Sequence, residues 1–191
     1  MTAPNLSEIS SALRGAIQLA QLDAGGMSLF NRTAAGFWRS FWAAGMLAPL
    51  HVYVLFTARA WDTSDPVRVI AVETIAYAIG WLVYPFVMLL VVDLLGRRER
   101  YFDYMVAYNW ANAPQLTLQA MVLTIALLSP VLGGFLYLLW LVSVLIYQWF
   151  IARAALRIGS LPAVALALLD FALGMALSRV TLALLQAPVP V

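Results

Sequence analysis

Apolar residues in this chain run in blocks too long for strands, interrupted at only a few places. Five blocks approach the roughly 20 apolar residues that a spanning helix needs: 37–57, 67–95, 115–129, 135–152 and 161–186. The third is short and depends on its flanks. The pattern predicts an all-α integral membrane protein with five transmembrane helices over 37–186, a preceding interfacial segment over 1–36 and a short tail at 187–191. The breaks have local causes. "WDTSDP" (61–66) is a polar turn ending in proline, and "GRRER" (96–100) is too charged to enter hydrocarbon. In "SPVLGG" (129–134), proline and paired glycines are expected to stop one helix before the next begins. In "RIGSLP" (157–162), Ser160 is expected to cap a helix with Pro162 in its first turn.

The segment "NLSEISSALRGAIQLAQL" (5–22) has a different period. At 100° per residue Leu6, Ile9, Leu13, Ala16, Ile17 and Ala20 fall on one side, with Ser7, Ser10, Ser11, Arg14, Gln18 and Gln21 on another. Asn5 is placed to cap this helix, with Glu8 reaching back in a capping box. Its net hydrophobicity is too low to span, so it is expected to lie on the membrane surface, or else on the protein's own loops. Met1 to Leu22 lacks the continuous apolar stretch of a signal peptide.

Arginine placement predicts orientation. Arg14, Arg32, Arg39, Arg97, Arg98, Arg100, Arg153 and Arg157 fall on one side of the predicted bundle, and Arg59 and Arg68 on the other. The excess predicts the N-terminus inside and the C-terminus outside.

Composition sharpens the class. Charged residues are 10% of the 191 and hydrophobic residues 64%, whereas soluble domains carry about 25% charge. The basic residues are all arginine, and with the alanine-rich helices this suggests a GC-rich bacterial genome and hence a bacterial inner (cytoplasmic) membrane. Cysteine is absent and His51 is the single histidine, so thiolate sites and multi-histidine metal sites within one chain are excluded. No basic stripe points to nucleic acid. HExxH, GxSxG, CxxC and a Walker lysine are all missing, and neither an enzyme activity nor a cofactor is expected.

Ionisable residues inside predicted spans are costly and invite a functional hypothesis. At about 1.5 Å rise per residue, Glu73, Arg179 and His51 share a depth in the outer leaflet. A Glu73–Arg179 ion pair is expected, with His51 joining it. Asp170 falls roughly 14 Å into the fifth span, near the midplane, and Arg179 lies on the opposite face of the same helix. Its depth-matched partners are Thr124, Ser143 and Tyr84. It reads either as a proton or cation site or as a carboxyl bonded between helices. Arg39 and Asp93 lie near the inner ends of the first two spans, where they snorkel or pair. Pro49 and Pro85 are expected to kink those spans.

"YNWANAPQ" (108–115) gathers polar and aromatic residues at the mouth of the third span. Tyr101, Phe102, Tyr104, Tyr108 and Trp110 suit a membrane interface. Pro114 disfavours helix at Ala113 and starts a new one. The run is therefore expected to form an interfacial helix or re-entrant hook, with Asn109 and Asn112 bonded to backbone freed by the break. "AYNWANAP" (107–114), opening the third of five helices behind a cytoplasmic segment, resembles the Yip1 family, with Ala107, Tyr108 and Pro114 as the matching positions. "FNRTAAGFWRSF" (30–41) is similar to the lead-in of bacterial Yip1-like proteins. The resemblance implies a non-enzymatic membrane protein that organises partners or shapes the bilayer. Its expected partners are the lipid bilayer and a membrane protein or a second copy of itself. Two other readings stand beside it: a small transporter or permeation unit with Asp170 as coupling residue, and an accessory subunit of a larger membrane complex.

Overall fold

The computed structural model describes residues 2–57 and 65–187. Arg59, most of the "WDTSDP" turn and the tail beyond residue 187 lie outside the described residues. Among these residues seven α-helices follow in order: α1 (Leu6–Ala20), α2 (Ala34–Ser40), α3 (Trp42–Thr57), α4 (Pro66–Leu94), α5 (Tyr101–Leu128), α6 (Pro130–Leu156) and α7 (Ser160–Gln186). Among the described residues, α2 with α3 forms one candidate span, and α4, α5, α6 and α7 supply four more, each long and apolar enough to cross a membrane. This is the architecture of a multi-pass helical membrane protein.

Short polar side chains set the helix starts. Asn5 Oδ1 accepts from the Glu8 amide at 2.7 Å, Thr33 Oγ1 from Gly36 at 3.1 Å and Asp65 Oδ1 from Val67 at 2.8 Å. Pro66 and Pro130 stand in the first turns of α4 and α6, where a missing N–H costs nothing. Gly159 rather than Ser160 caps α7, and Ser160 is already helical. The expected capping box at α1 is half formed. The Glu8 carboxylate instead pairs with Arg39 at 3.0 Å and accepts from Asn31 Nδ2 at 3.0 Å, since a charged partner holds a carboxylate more firmly than one amide.

Three expectations change. First, α5 is one helix of 28 residues running straight through Pro114, where the sequence pattern suggests a break and a span over 115–129. Proline removes the bond to the Trp110 carbonyl, yet Asn112 Nδ2 donates to the Tyr108 carbonyl at 3.2 Å, and Thr117 Oγ1 to the Ala113 carbonyl at 2.8 Å. Packing of α5 against α1, α2, α3 and α6 holds the helix through the lost bond. Second, the glycines of "SPVLGG" make no turn. Ser129 alone separates α5 from α6, and Gly133 lies inside α6. A β-carbon at Gly133 would come within 2.3 Å of Ala126 Cβ, so the residue is glycine to let two antiparallel helices close up. Third, α1 is packed on the helical bundle itself, with Ile9 and Leu13 against the core. Ala12, Gly15, Ala16 and Leu19 are buried against the bundle, whereas Leu6 and Ile17 are 85% and 51% exposed. Tyr147 of α6 donates to the Ala16 carbonyl at 2.7 Å, a bond that needs the small-residue face next to it.

The core sits at the arginine-rich end of the bundle. It joins Ala16 and Leu19 of α1 to Met88 and Val92 of α4, Tyr104 and Met105 of α5, and Ile151 and Leu156 of α6. Several charged groups at that end are paired locally. Asp103 lies 3.6 Å from Arg32 and 3.1 Å from Arg100, and Asp93 lies 3.2 Å from Arg98. Towards the opposite end the packing loosens: α4 packs on α7 and α3 on α5, while consecutive α3 and α4 scarcely approach each other's backbone. That gap places the site.

Candidate functional site

Between α3 and α4, floored by α5 and α7, lies a cavity of about 480 Å³. Leu47, Leu55, Leu116 and Leu177 supply its apolar wall; His51, Glu73, Tyr77, Tyr108, Asn112, Ser178 and Thr181 supply its polar one. Two side-chain contacts bridge the gap between the backbones. The His51 ring stacks on Tyr77 with centroids 4.4 Å apart, and Tyr77 Oη donates to the Ala44 carbonyl at 2.7 Å. Stacking orients the imidazole and leaves Nε2 buried with no hydrogen-bond partner among the described residues.

The expected ion pair is absent. No contact within 4.0 Å joins Glu73 to Arg179, and Arg179 is exposed. The reason is helical phase. Gly174, Leu177, Ser178 and Thr181 turn one stripe of α7 toward the cavity, and Arg179, 100° past Ser178 and 200° past Leu177, faces elsewhere. Shared depth brought the two residues level without bringing them face to face. His51 and Glu73, by contrast, do line the same cavity.

Below this groove Asp170 is held by tyrosine. Tyr108 Oη donates to Asp170 Oδ1 at 2.6 Å. The Tyr108 ring stacks on Tyr84 at 4.5 Å, and the hydroxyls of Tyr84 and Tyr104 lie 2.6 Å apart. Of the neutral partners suggested by depth, Tyr84 lies in this cluster. Thr124 bonds Tyr53 instead at 2.7 Å, and Ser143 bonds its own helix at the Leu139 carbonyl. A helix break at Pro114, as the sequence pattern suggests, puts Tyr108 outside the third span and so outside the depth-matched set. With α5 beginning at Tyr101, Tyr108 stands roughly 10 Å into its helix and Asp170 roughly 15 Å into α7, close enough for the bond. Spacing does carry a signal for this cluster, since Tyr101, Tyr104 and Tyr108 follow one face of a continuous helix.

Asp170 also borders two spaces. One of about 90 Å³ lies beside Gly80, Tyr84 and Tyr108; the other, of about 310 Å³, lies between α5, α6 and α7 beside Gln119, Trp140 and Gln148. Of the three matching positions of the Yip1 resemblance, Ala107 and Tyr108 are buried and Pro114 is half-buried within α5. Ala107 lets α5 pack closely, and Tyr108 carries the contact with Asp170. At the far end of the groove the Arg68 guanidinium donates to the Leu184 and Ala187 carbonyls, capping α7 with positive charge. Among the described residues no group of three or more His, Cys, Asp or Glu side chains is placed to hold a metal ion. No family model, no curated protein and no solved structure matches this chain.

Proposed function

We propose that the chain is a non-catalytic membrane protein that acts by interaction, organising partners at its arginine-rich face as the resemblance to Yip1-like proteins implies. The positive-inside rule puts that face in the cytoplasm, and the arginine-only, alanine-rich composition fits a bacterial inner membrane. The observation that carries the reading is the exposure of Leu6 and Ile17 on α1. Apolar residues exposed on a span face lipid and need no explanation. Those of α1 lie on one face of a helix too polar to span, and apolar side chains exposed there mark a contact surface. A photo-crosslinking residue at position 6 or 17, tested in native membranes, is expected to give a discrete protein adduct. Adducts to lipid alone would overturn the scaffolding role and leave α1 a membrane anchor.

A second reading is favoured by the position of Asp170, which borders cavities on two sides of α7. There the protein is a small permeation unit with Asp170 as its coupling residue. Solute flux into vesicles that is abolished in folded Asp170→Asn protein supports it, and the lack of any flux removes it.

A further inference from the structure

We propose that the groove between α3 and α4 is a binding site for a primary ammonium group. Among the described residues Glu73 is the one charged residue lining the groove, and no ion pair or hydrogen bond reaches its carboxylate from any of them. The described arginines of this end are directed elsewhere: Arg179 faces away and Arg68 is held by the carbonyls at the end of α7. A half-buried carboxylate with no partner among the described residues leaves negative charge in the cavity, and a cation there is attracted to it more strongly than it would be across water.

The surrounding groups narrow the class of cation. A divalent metal ion takes six or more oxygen ligands or a set of nitrogen and oxygen donors in fixed geometry, and the groove offers one carboxylate and one imidazole beside neutral hydroxyl and amide groups. An ammonium group needs less. Its N–H bonds are directed at acceptors, and the groove holds the Glu73 carboxylate, the orphaned His51 Nε2 and the hydroxyls of Ser178 and Thr181. Neutral imidazole with its proton on Nδ1 presents Nε2 as an acceptor, and in that form an N–H donor supplies the partner that His51 lacks. Tyr77, Trp81 and Tyr108 add aromatic walls, and aromatic faces attract ammonium groups. Three acceptor types favour a primary ammonium over a quaternary one, which has no N–H to donate. The apolar wall of leucines accommodates a short carbon chain attached to it. A lipid with an ethanolamine headgroup and a free primary amine both present this chemistry.

The test uses the full chain in nanodiscs made from equal amounts of phosphatidylethanolamine and phosphatidylcholine, followed by native mass spectrometry of retained lipid, with free ethanolamine titrated in phosphatidylcholine-only discs. Retention of phosphatidylethanolamine over phosphatidylcholine supports the site with lipid as its source. Ethanolamine binding without lipid preference supports it with a free amine as its source. Glu73→Gln is expected to weaken either one about tenfold, the loss of one hydrogen bond to a charged group, while Arg179→Gln leaves it unchanged. Should Glu73→Gln fail to fold, His51→Ala is read instead, with a smaller loss expected. No preference and no ethanolamine binding in monodisperse wild-type protein would overturn the proposal, as would a Glu73→Gln protein that binds like wild type.

Discussion

Replacing Tyr108 by Phe removes one hydroxyl and little else, because the ring keeps its stack on Tyr84 at 4.5 Å. What is lost is the 2.6 Å bond to Asp170, a length typical of an O–H donor on a carboxylate. Stranding a buried acceptor costs about 1–3 kcal/mol. The adjoining space of about 310 Å³ is roomy enough for water to reach the carboxyl, which places the cost near the middle of that range, about 2 kcal/mol. In a chain of this size each kcal/mol moves the melting temperature by about 2–4 °C, so Tyr108→Phe is expected to melt about 4–8 °C below wild type by differential scanning fluorimetry in detergent. Asp170→Asn keeps a carbonyl acceptor for the same hydroxyl and loses less. Tyr108→Leu also forfeits the stacked ring, which adds about 1 kcal/mol. The double variant Tyr108→Phe with Asp170→Asn is expected to lose less than the sum of the two single variants, since both act on one bond. If Tyr108→Phe melts within about 1 °C of wild type, or if the two changes add in full, the bond does not hold α5 to α7 and the reasoning fails.

Two further predictions follow from contacts between elements. A β-carbon at Gly15 would lie 2.9 Å from the Gly26 carbonyl oxygen, and one at Gly26 would lie 2.6 Å from the Gly15 carbonyl oxygen. Gly15→Val is therefore expected to lift the turn at Ala24–Leu29 off α1 at an overpacking cost of about 1–3 kcal/mol, read as faster trypsin cleavage at Arg14 and Arg32; unchanged cleavage would mean that the two segments do not pack. Exchanging the charges of Glu73 and Arg179 in one chain is expected to give no recovery of the expression lost in either single reversal, because the two face apart. Recovery in the double variant would show that they meet.

Much of this protein is written locally, and for one physical reason. A spanning helix satisfies its own backbone and needs only length and apolarity, so the five long helices and the loop that cannot enter hydrocarbon follow from hydropathy alone. The caps at Asn5 and Ser129 are equally local, since each side chain serves an amide three residues on. Packing between segments decided the rest. Pro114 breaks a helix by itself, but α5 is packed on several sides and runs through it. The sequence shows that α1 is amphipathic, but only packing decides that Ala12, Gly15, Ala16 and Leu19 are the residues it buries. Asp170 advertises a buried carboxyl in any reading of the sequence; its partner Tyr108 emerges only once α5 is known to begin at Tyr101. Glu73 and Arg179 show the converse. Equal depth is a one-dimensional quantity that a sequence supplies, whereas facing is set by the rotation of each helix against its neighbours, and that rotation is fixed by the whole bundle at once.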